Sequence, residues 1–255
     1  MSSPQDKIEL NDLQIRNINL LTHLLVHDAI SDEVVENIRK NELEYFALLD
    51  KYKLLDEKVN LDEKTNLLKF KNDYLTEIIK TASRIYFGAE ESTFNISLVR
   101  FDIDDFSIFN NKYGHEIGDD VLVAIANAIK ESSRPTDYVI RFGGEEIDVI
   151  LPSTNIRGSE VYCRKVFDEV SKIDVPYKGE SLRVTVSCGI SSCIYTFDGA
   201  KILDEKMIEG LYKKLQSEAD NALYEAKFLG KNRYCIFDSA KEDEYIKIRD
   251  SYSRK

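Results

Sequence analysis

The sequence predicts an α/β (α+β) fold, a mixed sheet flanked by helices and preceded by an N-terminal helical hairpin or coiled coil. Three observations carry this expectation. The first glycine of the 255-residue chain is Gly88 and the only proline before it is Pro4, so the first third holds none of the usual chain breakers. From about Asp62 helix-like and strand-like patterns alternate, which predicts a sheet with helices on its faces. The stretch RFGGEEIDVILP sets Gly143-Gly144 between two apolar runs, the pattern of a tight β-hairpin whose glycines suit positive φ at both central positions.

Taken in order, Ile8, Leu10, Leu13, Ile15, Ile18, Leu21, Leu24 and Leu25 recur at three- and four-residue spacings, which predicts an amphipathic helix. Ser31-Asp32 then reads as a cap for a second helix carrying Val34, Val35, Ile38, Phe46, Leu49 and Tyr52. Two such faces are unstable alone, so residues 1–60 are expected to form a helical dimerisation and signalling region. His23 and His27 lie four apart on the first helix. No third ligand accompanies them in the sequence, and they read as solvated or core-edge histidines. The next domain, residues 61–238, is expected to run as helix 65–86, strand 94–103, helix 118–132, hairpin 138–151, helix 156–171, strand 182–193, helix 207–228 and strand 233–237. The charged end, 239–255, reads as a weakly ordered tail or frayed helix.

Composition bounds the function. A formal net charge of -11 argues against nonspecific attraction to nucleic acid or to an anionic membrane, so any phosphate must be held locally. Cys163, Cys188, Cys193 and Cys235 show no zinc-ligand spacing and read as buried reduced thiols. No apolar run reaches the roughly 20 residues that span a bilayer, and the N-terminus lacks an apolar signal core. A cytoplasmic protein without nucleic-acid or membrane partners is the expectation.

The chemistry concentrates at two strand ends. LVRFDIDDF closes an apolar run with Asp102, Asp104 and Asp105, and the hairpin presents Glu145 and Glu146 at its tip. Carboxylates at the end of a buried strand call for a neutralising cation. If the two ends are neighbours, Asp102 and Glu145 form a hard oxygen site for Mg²⁺ (or Mn²⁺), which takes few carboxylates together with substrate phosphates. Such a site suits nucleotidyl transfer.

FDIDDFSIFNNKYGHEIGDDVL, RFGGEEI and ADNALYEAKFLGKN occur in this order, and together they resemble the signature blocks of the GGDEF family, the diguanylate cyclases. The resemblance covers roughly residues 61–238. It implies the family's palm-like nucleotidyl cyclase sandwich, one GTP per domain, a homodimer, and conversion of two GTP into cyclic di-GMP and two pyrophosphates. By the same resemblance, Asp102, Glu145 and the carbonyl of Ile103 are metal ligands, and Glu146 is a metal neighbour or base. Asn110 and Asp119 read guanine, with Phe106, Ser107 and His115 in the same substrate-binding block. Lys227 and Lys231 grip the phosphates from one helical face or its end. Arg134 and Asp137 match an RxxD site at which product inhibits, with Lys165 or Arg164 as a further basic contact.

Each assignment has a plainer counterpart. Asp119 follows Gly118 at an expected helix start and would also serve as an N-cap; Lys227 and Lys231 would also suit a solvated helix face; RxxD is also the spelling of a surface ion pair. The chain departs from the family pattern at Ile147, where phenylalanine is usual, at Ser107, where lysine is usual, and at Lys231, where arginine is usual. It also departs in DEKTNLLKF, residues 62–70, where the family opens with DxLTGLxNR. The alternative is therefore a weak or inactive GGDEF module that binds GTP or cyclic di-GMP and signals.

Overall fold

The computed structural model describes residue 40 and residues 60–85, 91–198 and 204–253 of the chain. The expectations for the two N-terminal helices, including His23 and His27, lie outside the described residues.

Six strands form one mixed sheet: β1 (Leu68–Lys69), β2 (Glu91–Ile103), β3 (Tyr138–Gly143), β4 (Glu146–Pro152), β7 (Val186–Asp198) and β8 (Tyr234–Ile236). Their order is β1-β3-β4-β2-β7-β8, with β1 parallel to β3, β7 parallel to β8 and the inner pairs antiparallel. β5 (Val175–Tyr177) and β6 (Glu180–Leu182) make a separate small hairpin. Six helices accompany them among the described residues: α1 (Tyr74–Ile85), α2 (Phe106–Tyr113), α3 (His115–Ser132), α4 (Ile156–Ser171), α5 (Glu205–Phe228) and α6 (Glu242–Ser253).

Strand alternation divides the core into two layers. Val99, Phe101 and Ile103 of β2 and Ile147, Val149 and Leu151 of β4 pack with Val121, Leu122 and Ile125 of α3 and Cys163 and Val166 of α4. The intervening Ile96, Leu98 and Ile150 pack with Leu75 and Ile79 of α1 and Leu215 and Ala219 of α5. Ile147, the departure from phenylalanine, is buried and fills core as a smaller apolar group.

Several expected elements are redrawn. Residues 65–86 are not one helix. Asp62 Oδ1 accepts from Lys64 N, Thr65 N and Thr65 Oγ1, Asn66 adopts φ +57, and β1 pairs with β3 before α1 begins at Tyr74. That local hydrogen bonding competes with helix formation. The span 182–193 is likewise divided, because β6 ends at Leu182 and β7 starts at Val186. A helix, α2, intervenes before α3, which begins at His115 and not at Gly118. Residues 242–253 of the charged C-terminal segment form helix α6, with Tyr245 buried and its hydroxyl accepting from Asp238 N at 3.0 Å.

In the GG hairpin only Gly144 has positive φ, +54, and Gly143 still belongs to β3. The two turn residues are therefore Gly144 and Glu145, after a register shift between Arg141 and Gly143. One glycine supplies the left-handed backbone, and Glu145 is carried into the turn itself.

Candidate functional site

Asp102 and Glu146 are partners in the β2–β4 register, so their side chains share one sheet face. That face is the one covered by α5, whose last turn carries Lys227. The Lys227 ammonium lies 2.8 Å from Asp102 Oδ1, and the Asp102 side chain is only 8% exposed. Burial raises the Asp102 pKa above the usual carboxylate value; Lys227 opposes that rise, while Glu145 and Asp104 add to it. Glu146 is also raised, first by burial, with Arg100 pulling it down and Asp102 pushing it up. Glu145 is half-buried at the turn. Ile103 ends β2 in register with Val186, its side chain in the opposite core layer. The crowding of like charges at this strand end, countered by Lys227, would be relieved further by a bound cation. Among the described residues no three carboxylate, imidazole or thiol groups converge as a ready-made metal cage. The donor set fits an ion that takes two carboxylates, a carbonyl and substrate phosphate oxygens, which is the preference of Mg²⁺.

The other two aspartates of the cluster have different work. Asp104 is buried and accepts from Thr185 Oγ1 at 2.6 Å, Ser187 Oγ at 2.7 Å and Asn232 N at 3.1 Å. It fastens β2 to β7 and to the loop after α5. Asp105 caps α2 at φ +55 without a side-chain cap bond and pairs with Lys231 Nζ at 2.5 Å. Lys231 lies beyond α5, where Lys231 (φ +62) and Asn232 (φ +49) are left-handed. The two lysines therefore sit at the helix end and do not share a helical face.

A second group gathers on α2 and α3. Asp119 lies inside α3, whose N-cap is Gly114, so the N-cap reading of Asp119 is set aside. Its carboxylate is 2.6 Å from Lys64 Nζ. Asn110 Oδ1 is buried with no hydrogen-bond partner and faces the Gly118 backbone so closely that a Cβ there would lie 1.7 Å from it. Phe106 is buried beneath α2, whereas Ser107 and His115 are exposed on the first turns of α2 and α3.

Residues 60–233 match the family described as "Diguanylate cyclase, GGDEF domain". This chain belongs to the GGDEF family. Diguanylate cyclase A of Treponema denticola is 32% identical over 169 residues, covering 66% of this chain and 42% of that protein. Diguanylate cyclase DgcP of Pseudomonas aeruginosa is 33% identical over 139 residues, covering 54% of this chain and 19% of that protein. The chain thus spans less than half the length of these curated relatives. Among solved structures, diguanylate cyclase SiaD of Pseudomonas aeruginosa with its activator SiaC has TM-score 0.60 at 26% identity, covering 87% of this chain and 78% of that one. The GGDEF domain of DgcB from Caulobacter crescentus in complex with c-di-GMP has TM-score 0.56 at 26% identity, covering 71% and 96%. The mixed six-stranded sheet with flanking helices is the fold these neighbours share.

In this GGDEF domain the RxxD segment closes on itself. Asp137 Oδ2 accepts from Arg134 N at 2.7 Å, and burial raises the Asp137 pKa. Arg134 is exposed and, with Asp137, Leu67 and Lys130, lines a cavity of about 380 Å³. Lys165 does not line it; its ammonium donates to Ser132 O at the end of α3, at 2.9 Å. Arg164 stands apart with Tyr234.

Sequence reasoning left out the residues that hold the GGDEF hairpin in place. Arg141 donates to Asp62 Oδ1 at 2.8 Å and to Gly144 O at 3.2 and 3.0 Å, joining the altered opening motif to the GG turn. Arg100 makes a two-pronged pair with Asp148 at 2.7 and 2.8 Å, both buried, and its guanidinium lies 4.0 Å from the Phe142 ring. Phe70 meets Phe142 edge-on at 4.9 Å. The available signal was the alternation itself, since Arg100 and Asp148 are charged at core-facing positions of adjoining strands.

Proposed function

We propose that this GGDEF domain condenses two molecules of GTP into cyclic di-GMP and two pyrophosphates, in the cytoplasm and as a homodimer. In each half-reaction the ribose 3′-oxygen of one GTP bonds to the α-phosphorus of the other. The bond from that phosphorus to the bridging oxygen breaks, and pyrophosphate leaves. The 3′-hydroxyl proton passes to Glu146 or to water. The observation that carries the reading is the register pairing of Asp102 with Glu146, beside Glu145 and under Lys227. Asp102, Glu145 and the Ile103 carbonyl would hold Mg²⁺, and the bound ion would supply Lewis acidity at the α-phosphate and the attacking hydroxyl. Lys227 and Lys231 then exchange their carboxylate partners for phosphate oxygens, and Asn110 and Asp119 bind the base.

Each domain offers one such half-site, so turnover needs two copies, and residues 1–60 are proposed to bring them together. Arg134 and Asp137 are proposed to bind the product and restrain the enzyme. Purified protein incubated with GTP and Mg²⁺ should yield cyclic di-GMP and pyrophosphate on chromatography. An Asp102→Ala, Glu145→Ala variant and an ATP-only sample should yield neither. Intact GTP at high protein concentration would overturn the enzyme reading. It would support a nucleotide-binding signalling module, the reading favoured by Ser107, which brings a hydroxyl to an exposed position where a cation would hold phosphate.

A further inference from the structure

Lys64 stands in the altered opening motif, between the retained Asp62 and Thr65, and the fold holds its backbone firmly. Asp62 Oδ1 accepts from the Lys64, Thr65 and Arg141 nitrogens, and Lys130 Nζ donates to Asn66 O at 3.0 Å. From this pinned loop the Lys64 ammonium reaches α3 and meets Asp119 Oδ1 at 2.6 Å. Both side chains keep more than two fifths of their surface exposed, 43% and 44%, so the pair is open to a ligand.

An exposed ion pair of this kind contributes little stability, about 0–1 kcal/mol, and so is a poor reason in itself for the placement. The chemistry offers a better one. A carboxylate has two oxygens and about four lone-pair directions, so Asp119 can keep Lys64 on one oxygen while accepting hydrogen bonds from a base. Guanine presents N1–H and 2-amino donors next to the O6 acceptor, and a carboxylate with an adjoining ammonium supplies the complementary sequence of acceptor and donor. Adenine carries an amino group at the 6-position, which would face the ammonium donor to donor.

We infer that Lys64 is a specificity-determining residue of the nucleotide site, donating to guanine O6 while Asp119 accepts from the N1–H and 2-amino groups. This inference rests on the proposed role of Asp119 as a base-reading carboxylate.

The test uses the full chain, Mg²⁺ and an α,β-methylene analogue of GTP, which keeps the base and triphosphate but cannot be cleaved at the scissile bond. Calorimetric titration compares that analogue with its 6-thioguanine counterpart, in which only O6 is replaced, by a poorer acceptor. The wild type should bind the 6-thio analogue about tenfold more weakly, the size of one hydrogen bond to a charged group. Lys64→Met should weaken binding of the guanine analogue by a similar factor and bind the two analogues alike, and Lys64→Arg should restore the difference. If Lys64→Met binds the guanine analogue as well as or better than the wild type, or still discriminates against sulfur, the Lys64 inference is overturned. Asp119→Asn separates this outcome from failure of the site: unchanged affinity in that variant would remove the base-reading role of Asp119 and, with it, the inference.

Discussion

The Lys227 ammonium stands 2.8 Å from Oδ1 of Asp102, at the end of the sheet where Glu145 and Glu146 also converge. A cation from α5 therefore occupies one carboxylate oxygen that the proposed chemistry assigns to a metal. On the proposed chemistry, Lys227 and Mg²⁺ would compete for Asp102 until phosphate offered the lysine another partner. Lys227→Met should accordingly bind Mn²⁺ several-fold more tightly in the absence of nucleotide, yet bind GTP about tenfold more weakly. Titration of Mn²⁺ by electron paramagnetic resonance, with and without GTP, reads both effects.

Gly118 and Asn110 make a different kind of contact. A Cβ at position 118 would lie 1.7 Å from Asn110 Oδ1, but the obstructing atom is the tip of a side chain and can move. Gly118→Ala should leave the fold intact and swing the Asn110 amide away from its present position. GTP affinity is expected to fall about tenfold for the displaced hydrogen bond, with an unchanged circular dichroism spectrum. Unchanged affinity would count against Asn110 as a base contact.

The buried pair of Arg100 and Asp148 predicts asymmetric mutational effects. Asp148→Ala leaves a guanidinium in the core with only the longer 3.6 Å contact to Asp220 and the attraction of Glu146, and should cost about 3–5 kcal/mol in urea unfolding. Replacing both residues, Arg100→Met with Asp148→Leu, should recover most of that loss, because apolar groups of similar size need no partner. A double variant as unstable as Asp148→Ala would refute this account.

Asp62 links stability to pH. Burial alone would raise its pKa, but hydrogen bonds from Thr65 and Arg141 outweigh burial and hold it at about 2, below the ordinary 3.8. The depressed value means that the folded state favours the ionised form. Its contribution is complete above the unfolded value, near pH 4, and is lost as pH falls through about 2. Denaturant unfolding from pH 6 down to pH 2 should show this loss in the wild type. Asp62→Asn should be less stable at pH 6 by roughly 1–3 kcal/mol and lack this portion of the acid dependence.

The sequence by itself determined the family, the hairpin and the membership of the acidic cluster, because these are written in local order: apolar periodicity, a Gly-Gly between two strands, and three signature blocks at their usual spacing. Helices α3, α4 and α5 were legible within a few residues for the same reason. Only the tertiary structure decided which aspartate does what. Asp102, Asp104 and Asp105 are nearly contiguous and chemically identical, yet one faces Glu146 and Lys227, one is fastened to Thr185, Ser187 and Asn232, and one caps a helix beside Lys231. Their roles depend on partners some 44 to 128 positions away, which no local pattern records. The same holds at the opening motif. Its short strand was hidden under helix-compatible residues, because β1 exists only through parallel pairing with β3, and Lys64 meets Asp119 only once that loop is pinned by Asp62 and Arg141. Hydrogen bonds and ion pairs between distant segments, absent from any single stretch of chain, turned a cluster of carboxylates into an ordered site.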